Sequence, residues 1–237
     1  EDDGCNAEGG QAAGQKITSD PSIVAIVGTS CSGAGVAMSS VVSEAGYSMV
    51  SPSNTSPVLT DPDIAWHPGY YRSAHNDKVQ GAAIADFAFN ELGLSTAAAI
   101  HDGDPYTEGL ANAFRVSFEA LGGSITTFTA VVVGDTDMRP VLTEVAAGAP
   151  EFIYFPVFTA ECAFLAKQAG EVAGLEGTVL AAADGCISAD AAAAIGEAGA
   201  GMYFSGPDIS FTGSLYEDFK AEYTAISGED LLSVFHA

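Results

Sequence analysis

The stretch "TAAAIHDGDPYTEGLANAFRVSFEALGGSITTFTAVV", residues 96–132, decides the fold class. It predicts a strand at 96–101, a helix over 107–121 and a second strand at 124–132. The first strand is continuously apolar, which is typical of a parallel strand with helices covering both faces of its sheet. Strand, helix and strand in this order predict a right-handed βαβ unit.

The same alternation extends along the chain in both directions and predicts an α/β protein with doubly wound parallel sheets. The segment 76–204 contains five predicted strands, enough for a complete doubly wound domain, whereas 1–74 contains only two clear strands. A chain that crosses between two lobes explains this imbalance. We therefore predict a first lobe from 1–74 plus 206–237 and a second lobe from 75–205. The remaining strands are predicted at 23–28, 47–51, 152–157, 178–183 and 201–204, and the remaining helices at 7–18, 34–45, 76–92, 137–147, 159–173, 188–198 and 214–226.

The composition excludes several classes of function. Of the 237 residues, 48% are hydrophobic, so a packed core is expected and wholesale disorder is not. The formal net charge is −24, with only 7 lysines and arginines. Such a chain repels DNA, RNA and anionic lipid, which argues against nucleic acid as a partner.

The four cysteines occur at 5, 31, 162 and 186. An even number fits a compartment that permits disulfides, and the absence of CxxC spacing argues against zinc. Four unpaired buried thiols are the alternative interpretation of the same count.

Polar residues follow most of the predicted strands, and in open parallel sheets ligands bind beyond the carboxyl ends of the strands. Hydroxyl groups dominate after the first two strands, whereas aromatic residues and a carboxylate mark the later strand ends. Turn formers and helix caps produce a similar pattern. The residues at these strand ends include Ser30, Cys31, Ser32, Asn54, Thr55, Tyr106, Phe158 and Asp184.

The loop "GTSCSG", residues 28–33, has GxxxxG spacing but lacks the lysine that a phosphate loop needs. We therefore predict no nucleotide cofactor. A helix that begins near Gly33 offers free N–H groups that suit a carboxylate, although Ser32 as a simple helix cap is the alternative. A small-amide hydrolase with Ser32 as nucleophile is a third hypothesis, weakened by the absence of a GxSxG elbow. "HDGD" at 101–104 indicates a turn, so we predict no metal site.

Several stretches, in this order and over nearly the whole chain, resemble the periplasmic branched-chain amino-acid-binding proteins, which are type I solute receptors of ABC importers. The resemblance implies two lobes of the type I periplasmic-binding fold and a non-enzymatic protein that captures an amino acid, or a small amide or carboxylate, in a cleft between them. It also implies an ABC permease in the membrane as partner. The stretches are "DDGCN", "VGTSCSGAGVA", "MVSPSNTSPVLT", "AAAIHDGDPYTEGLANAF", "GDTDMRPVLTEV", "FIYFPVFTAECAFLAKQAGEVAGL" and "AADG".

The resemblance also implies which groups hold the ligand. The hydroxyls of Ser32 and Thr55, with N–H groups at the helix start, would bind the ligand carboxylate. The backbone carbonyl of Asn54 and the carboxylate of Asp184 would bind the ligand ammonium. Desolvation strengthens such charge-assisted contacts.

Other positions would shape the pocket. Tyr106 and Phe158 would close over the ligand, and Ser30 and Cys31 would line the side-chain pocket. The family usually has Glu where this chain has Asp184, and an aromatic hydroxyl is absent at Phe158. Both departures alter the pocket, so leucine or valine cannot be assumed as the ligand.

The resemblance assigns a disulfide to Cys5 and Cys31. A second disulfide, between Cys162 and Cys186, has no expected counterpart in the family, and we predict it from the redox setting and from the position of both cysteines just past neighbouring strands.

The family's first strand and helix have no match before Glu1, and its closing elements are missing after Ala237, so we expect the first lobe to be incomplete at both ends. We expect a periplasmic or extracellular location, with a lipid anchor ahead of Glu1 as one arrangement. A ligand-binding sensor domain of a signalling receptor with the same fold is the alternative function.

Overall fold

Two parallel β-sheets with flanking helices form the framework of the protein. The computed structural model describes residues 1–208 and 213–228. The helices are α1 (Ala7–Thr18), α2 (Ser32–Glu44), α3 (Asp77–Asp86), α4 (Pro105–Ala120), α5 (Arg139–Ala147), α6 (Thr159–Ala169), α7 (Ala189–Ile195) and α8 (Ser214–Ser227). Helices α2 to α7 each lie between two successive strands, as the sequence predicts.

The first sheet has three short parallel strands. They are β1 (Ile26–Val27), β2 (Met49–Ser51) and β3 (Tyr70–Arg72), in that order across the sheet. Ile26 lies opposite Met49, and Met49 lies opposite Tyr70. The sequence did not predict β3, and it predicted longer versions of the other two strands.

The second sheet has five parallel strands: β4 (Thr96–His101), β5 (Ser124–Ala130), β6 (Phe152–Phe155), β7 (Val179–Ala183) and β8 (Tyr203–Ser205). Their order across the sheet is β5–β4–β6–β7–β8. Alternate residues of the inner strands enter two different hydrophobic clusters: Ile153 packs in one, whereas its neighbours Phe152 and Tyr154 pack in the other. Apolar side chains therefore cover both faces of this sheet, and the predicted doubly wound arrangement is confirmed.

The described chain divides into two compact units. One comprises Glu1–Asn54, His67–Ala74 and the described residues from Pro207 onward, and the other comprises Thr55–Trp66 and His75–Gly206. The parts of the predicted first lobe at 209–212 and 229–237 lie outside the described residues.

Besides the boundary residue Gly206, the division differs from the predicted lobes at residues 55–66, which the sequence placed with the first lobe. Two contacts and the burial of one side chain explain why this segment belongs to the second unit. Ser56 Oγ donates to the carbonyl of Pro105 at 2.7 Å, Leu59 is fully buried, and the 3₁₀ turn Pro57–Thr60 packs on α4. None of these contacts is visible in the local sequence pattern.

Both predicted cysteine pairs are bonded. Cys5 joins Cys31 with 5.2 Å between the Cα atoms, and Cys162 joins Cys186 with 6.3 Å between the Cα atoms. Each bond links two elements of the same unit. Within residues 1–208 and 213–228, no helix combines the length and the apolar character needed to cross a lipid bilayer.

Candidate functional site

Asp184 occupies the carboxyl end of β7, where a 3₁₀ turn (Asp184–Cys186) begins. Ligands of parallel sheets bind at this edge. The side chain is buried, with 8% of the residue's surface exposed. A carboxylate at this depth needs hydrogen-bond donors or a cation to offset its lost hydration.

Two neutral side chains supply donors to Asp184. Gln80 Nε2 donates to Oδ1 at 2.6 Å, and the hydroxyl of Tyr106 donates to the same oxygen at 3.1 Å. Among the described residues, Asp184 forms no ion pair, and Oδ2 receives no hydrogen bond. The site therefore presents a buried negative charge with one carboxylate oxygen still able to accept.

Tyr106 is held in place by the first turn of α4. Asp104 caps this helix by accepting from the backbone N–H of Tyr106 at 2.8 Å. Burial raises the pKa of Tyr106 well above its ordinary value, and the nearby charge of Asp184 raises it further. Tyr106 therefore remains a protonated donor toward Asp184 at any ordinary pH.

Phe158 and Gly185 complete the surroundings of Tyr106. The ring centroids of Phe158 and Tyr106 are 5.5 Å apart. A Cβ atom at Gly185 would lie 3.2 Å from the Tyr106 ring and 3.3 Å from the Phe158 ring, so a glycine permits this close packing. Of the predicted site residues, Tyr106, Phe158 and Asp184 thus lie together in the second unit.

A second layer of polar residues behind Asp184 was missed by the sequence analysis. It consists of His75, Gln80, Tyr154 and Ser205. Gln80 Nε2 also reaches the carbonyl oxygen of Ser205 at 3.2 Å and its hydroxyl at 3.1 Å, and the Tyr154 hydroxyl lies 2.8 Å from that same hydroxyl. One signal was present in the sequence. Gln80 shares a face of α3 with Ile84, four residues later, so an amide lies on the helix face that also carries a large apolar side chain.

In the first unit, hydroxyl groups connect the loops that follow β1 and β2. Ser51 Oγ donates to the carbonyl of Thr29 at 2.7 Å, and Ser53 Oγ donates to the carbonyl of Ser30 at 2.8 Å. Thr29 Oγ1 donates to the carbonyl of Cys31 at 2.9 Å. The loop that carries Ser30 and Cys31 is therefore held by hydrogen bonds from the loop after β2 as well as by its disulfide.

Asn54 is fully buried and lies at the centre of this hydrogen-bond network. Its side chain bonds Thr29 Oγ1 at 3.2 Å and accepts from the Tyr70 hydroxyl at 3.3 Å. Gly35 allows its approach to α2, since a Cβ atom there would lie 2.4 Å from Asn54 Oδ1. The carbonyl of Asn54, which the resemblance assigns to the ligand ammonium, accepts from Arg72 Nη1 at 3.3 Å. Arg72 was not among the predicted site residues.

Ser32 is the first residue of α2 and is 2% exposed. The preceding Cys31 occupies the cap position and makes no side-chain capping bond. Ser32 therefore occupies the first helical position and not the cap position. Because the sulfur of Cys31 is bonded to Cys5, it is not available as a nucleophile.

Thr55 is also buried, at 1% exposure, and its carbonyl accepts from the backbone N–H of Asp77 at 3.0 Å. The part of the chain that the structure describes contains no cluster of three or more metal-ligating side chains. A groove of about 400 Å³ lies against α4 and contains none of the predicted site residues. The Asp184 cluster therefore remains the candidate site.

Comparisons with known proteins agree with this architecture. A family model described as "Periplasmic binding protein" matches residues 1–237. A Leu/Ile/Val-binding protein homolog of Brucella melitensis biotype 1 is 31% identical over 179 residues, which are 76% of this chain and 47% of that protein.

Two solved structures show the same fold. The leucine-binding protein LivK from Thermotoga maritima MSB8 has a TM-score of 0.84 at 24% identity, covering 98% of this chain and 65% of that one. LivJ from Streptococcus pneumoniae, in complex with isoleucine, has a TM-score of 0.81 at 22% identity, covering 99% and 66%. The fold is thus the predicted type I periplasmic-binding fold. The chain spans about half the length of the first curated relatives that it matches.

Proposed function

This chain belongs to the periplasmic binding protein family, and we propose that it is a non-enzymatic receptor that binds an α-amino acid for uptake through an ABC permease. One observation carries the proposal. Asp184 is a buried carboxylate with two neutral donors, one open oxygen and, among the described residues, no cationic partner. An ammonium group is the ligand group that completes such a site.

The relatives support an amino acid as the ligand class. The Brucella relative is described as a homolog of Leu/Ile/Val-binding proteins, and the Streptococcus structure contains isoleucine. We propose that the ligand amine binds Asp184 and that Tyr106 and Phe158 contact the ligand beside it. For the ligand carboxylate, we propose the Ser32 and Thr55 hydroxyls and N–H groups at the start of α2. We further propose Ser30 and Cys31 as lining of the side-chain pocket.

The position of Arg72 bears on the role of the Asn54 carbonyl as an acceptor for the ligand ammonium. A guanidinium that already donates to the carbonyl of Asn54 makes this carbonyl a poorer acceptor for a second cation, because the two positive charges repel. We therefore propose that Asp184 supplies the larger share of amine recognition in this protein. We also propose a periplasmic or extracellular location, where both disulfides are stable.

The proposal is tested by a thermal-shift screen of the intact protein against α-amino acids, their amides and carboxylic acids that lack the amine. A ligand at 100 times its Kd raises the free energy of unfolding by about 2.7 kcal/mol. The Asp184→Asn variant keeps an oxygen that accepts from Gln80 and Tyr106 but loses the charge. We expect it to fold normally and to lose at least about a hundredfold in amino-acid affinity, since an unpaired buried ammonium costs several kcal/mol.

Asp190→Asn is the matched control because this carboxylate is exposed in the same unit. We expect it to leave every thermal shift unchanged. A wild-type protein that responds to no amino acid, or an Asp184→Asn variant that responds as strongly as the wild type, contradicts the proposal.

A further inference from the structure

Gln80 is one of two side chains that donate a hydrogen bond to Asp184. It lies on the buried face of α3, with 5% of its surface exposed, and its amide contacts three residues. Gln80 Nε2 donates to Asp184 Oδ1 at 2.6 Å and to Ser205, while His75 Nε2 lies 2.7 Å from Gln80 Oε1. Of these three partners, only Asp184 is proposed to touch the ligand.

The partners determine the orientation of the Gln80 amide. The Asp184 carboxylate and the carbonyl of Ser205 can only accept hydrogen bonds, so the amide nitrogen faces them. Gln80 Oε1 therefore faces His75, and His75 Nε2 must carry the hydrogen that the amide oxygen accepts. The hydrogen bonds run in one direction, from His75 through Gln80 to Asp184.

This arrangement selects which oxygen of Asp184 remains open. Oδ1 accepts two hydrogen bonds, from Gln80 and from Tyr106, whereas Oδ2 accepts none from the described residues. The two donors come from different helices, α3 and α4, so Oδ1 is held from two directions and rotation of the carboxylate would break both hydrogen bonds. Oδ2 is therefore the oxygen that is free of donors from the described part of the chain and best placed to accept from a ligand.

We propose that Gln80 and His75 are positioning residues that orient Asp184 so that Oδ2 faces the ligand amine. The inference rests on the proposed function, because it assigns a role within the same amine-binding site. A carboxylate that is already oriented loses less conformational entropy when a ligand amine binds it. The resulting increase in affinity applies only to ligands that carry an amine. Gln80 thus contributes to discrimination between an amino acid and the same molecule without its amine.

The test compares matched ligand pairs in the intact protein. The pairs are leucine with 4-methylpentanoate and phenylalanine with 3-phenylpropanoate, in which the acid lacks only the amine. Gln80→Met preserves the length of the side chain and removes both hydrogen-bonding groups. We expect the Kd of the amino acid to rise at least about tenfold and that of the matching acid to change by less than about twofold.

Gln168→Met is the control for simple destabilisation. The amide of Gln168 is also bonded at both ends, to the N–H of Met138 at 2.7 Å and to the carbonyl of Thr136 at 2.8 Å, but it does not contact Asp184. We expect this variant to lower the melting temperature without changing either Kd. His75→Gln, which keeps a donor for Gln80 Oε1, is expected to preserve amino-acid affinity better than His75→Leu.

A double-mutant cycle separates a positioning role from a structural one. If Gln80 acts through Asp184, Gln80→Met has no further effect on amino-acid affinity in the Asp184→Asn background. Equal losses for both members of a ligand pair, an undiminished effect in that background, or unchanged amino-acid binding would each overturn the inference. A wild-type protein that binds no amino acid would overturn the proposed function itself and the inference with it.

Discussion

Glu151 precedes a strand and Asp184 follows one, so the two carboxylates lie at opposite strand ends of the same sheet. Their surroundings give them different roles. Glu151 is exposed, precedes β6, and accepts four hydrogen bonds at one oxygen from the backbone and hydroxyl groups of Ser95 and Thr96. The backbone N–H of Ser95 contributes most to lowering the pKa of Glu151. Glu151 is satisfied by the protein and joins β6 to β4, whereas Asp184 is buried and keeps one oxygen open.

Removal of the Tyr106 hydroxyl tests how much its hydrogen bond to Asp184 contributes to ligand affinity. Tyr106→Phe removes the hydrogen bond to Asp184 Oδ1 and leaves the ring packed against Phe158. Hydrogen bonds to charged groups contribute about 1.5–3 kcal/mol, so we expect the Kd for an amino acid to rise about tenfold or more, measured by calorimetry. Tyr203→Phe, at a half-exposed position of the same unit, should leave Kd unchanged. Unaltered affinity in Tyr106→Phe would contradict the contact.

How far the sequence predicts the site depends on the kind of contact. Tyr106, Phe158 and Asp184 follow strands or begin helices, so the topology rule for parallel sheets is enough to predict that they lie together. Gln80 and Arg72 were missed because their roles depend on distant partners: Asp184 is 104 residues from Gln80 in sequence, and the Asn54 carbonyl is 18 from Arg72. A pattern within one segment contains no information about such pairs.

For helices and strands too, the sequence predicts what a local pattern determines and misses what depends on distant partners. The inner strands of the second sheet, β4, β6 and β7, were predicted because each is a mainly apolar run whose side chains enter the hydrophobic clusters on the two faces. β3 was missed because no apolar run marks Tyr70–Arg72, which is a strand through its pairing with β2. Helix α4 begins at Pro105, two residues before the predicted start, because Asp104 caps it and proline suits the first turn.

The bond between Cys162 and Cys186 ties the start of α6 to the turn that contains Asp184. The two cysteines are 24 residues apart, so loop-closure entropy predicts a stabilisation of about 3.5 kcal/mol. We expect a Cys162→Ala/Cys186→Ala variant to lose about this much in urea unfolding. We also expect its amino-acid affinity to fall severalfold, because the turn loses a covalent anchor.

The other disulfide offers a matched control. Cys5 and Cys31 close a loop of similar length, 26 residues apart, in the other unit. Replacement of both by alanine should lower stability by a comparable amount, yet leave the preference for an amine-bearing ligand over its deaminated partner intact. Full amino-acid affinity in the Cys162→Ala/Cys186→Ala variant would show that the disulfide is not required to hold Asp184 in place for binding.

Across the whole molecule, the acidic composition makes every further negative charge unfavourable. The chain has a formal net charge of −24, and three of its eight tyrosines, Tyr70, Tyr106 and Tyr154, have raised pKa values. Burial is the largest cause for each of them, and it raises the pKa of Tyr70 to about 12. For Tyr106 and Tyr154, the charges of Asp184 and Asp77 act in the same direction.

These tyrosines predict a loss of stability in alkaline solution. In the unfolded chain a tyrosine ionises near pH 10, whereas the folded protein holds the proton of Tyr70 to about pH 12. The contribution of each group is therefore fully present below about pH 10 and is lost as the pH rises through the folded pKa. We expect the melting temperature to fall steeply above about pH 10, with three phenols ionising only as the protein unfolds, followed by ultraviolet absorbance. Tyr70→Phe should move the alkaline transition to higher pH. Ionisation of all eight tyrosines while the fold persists would contradict the burial of these three hydroxyls.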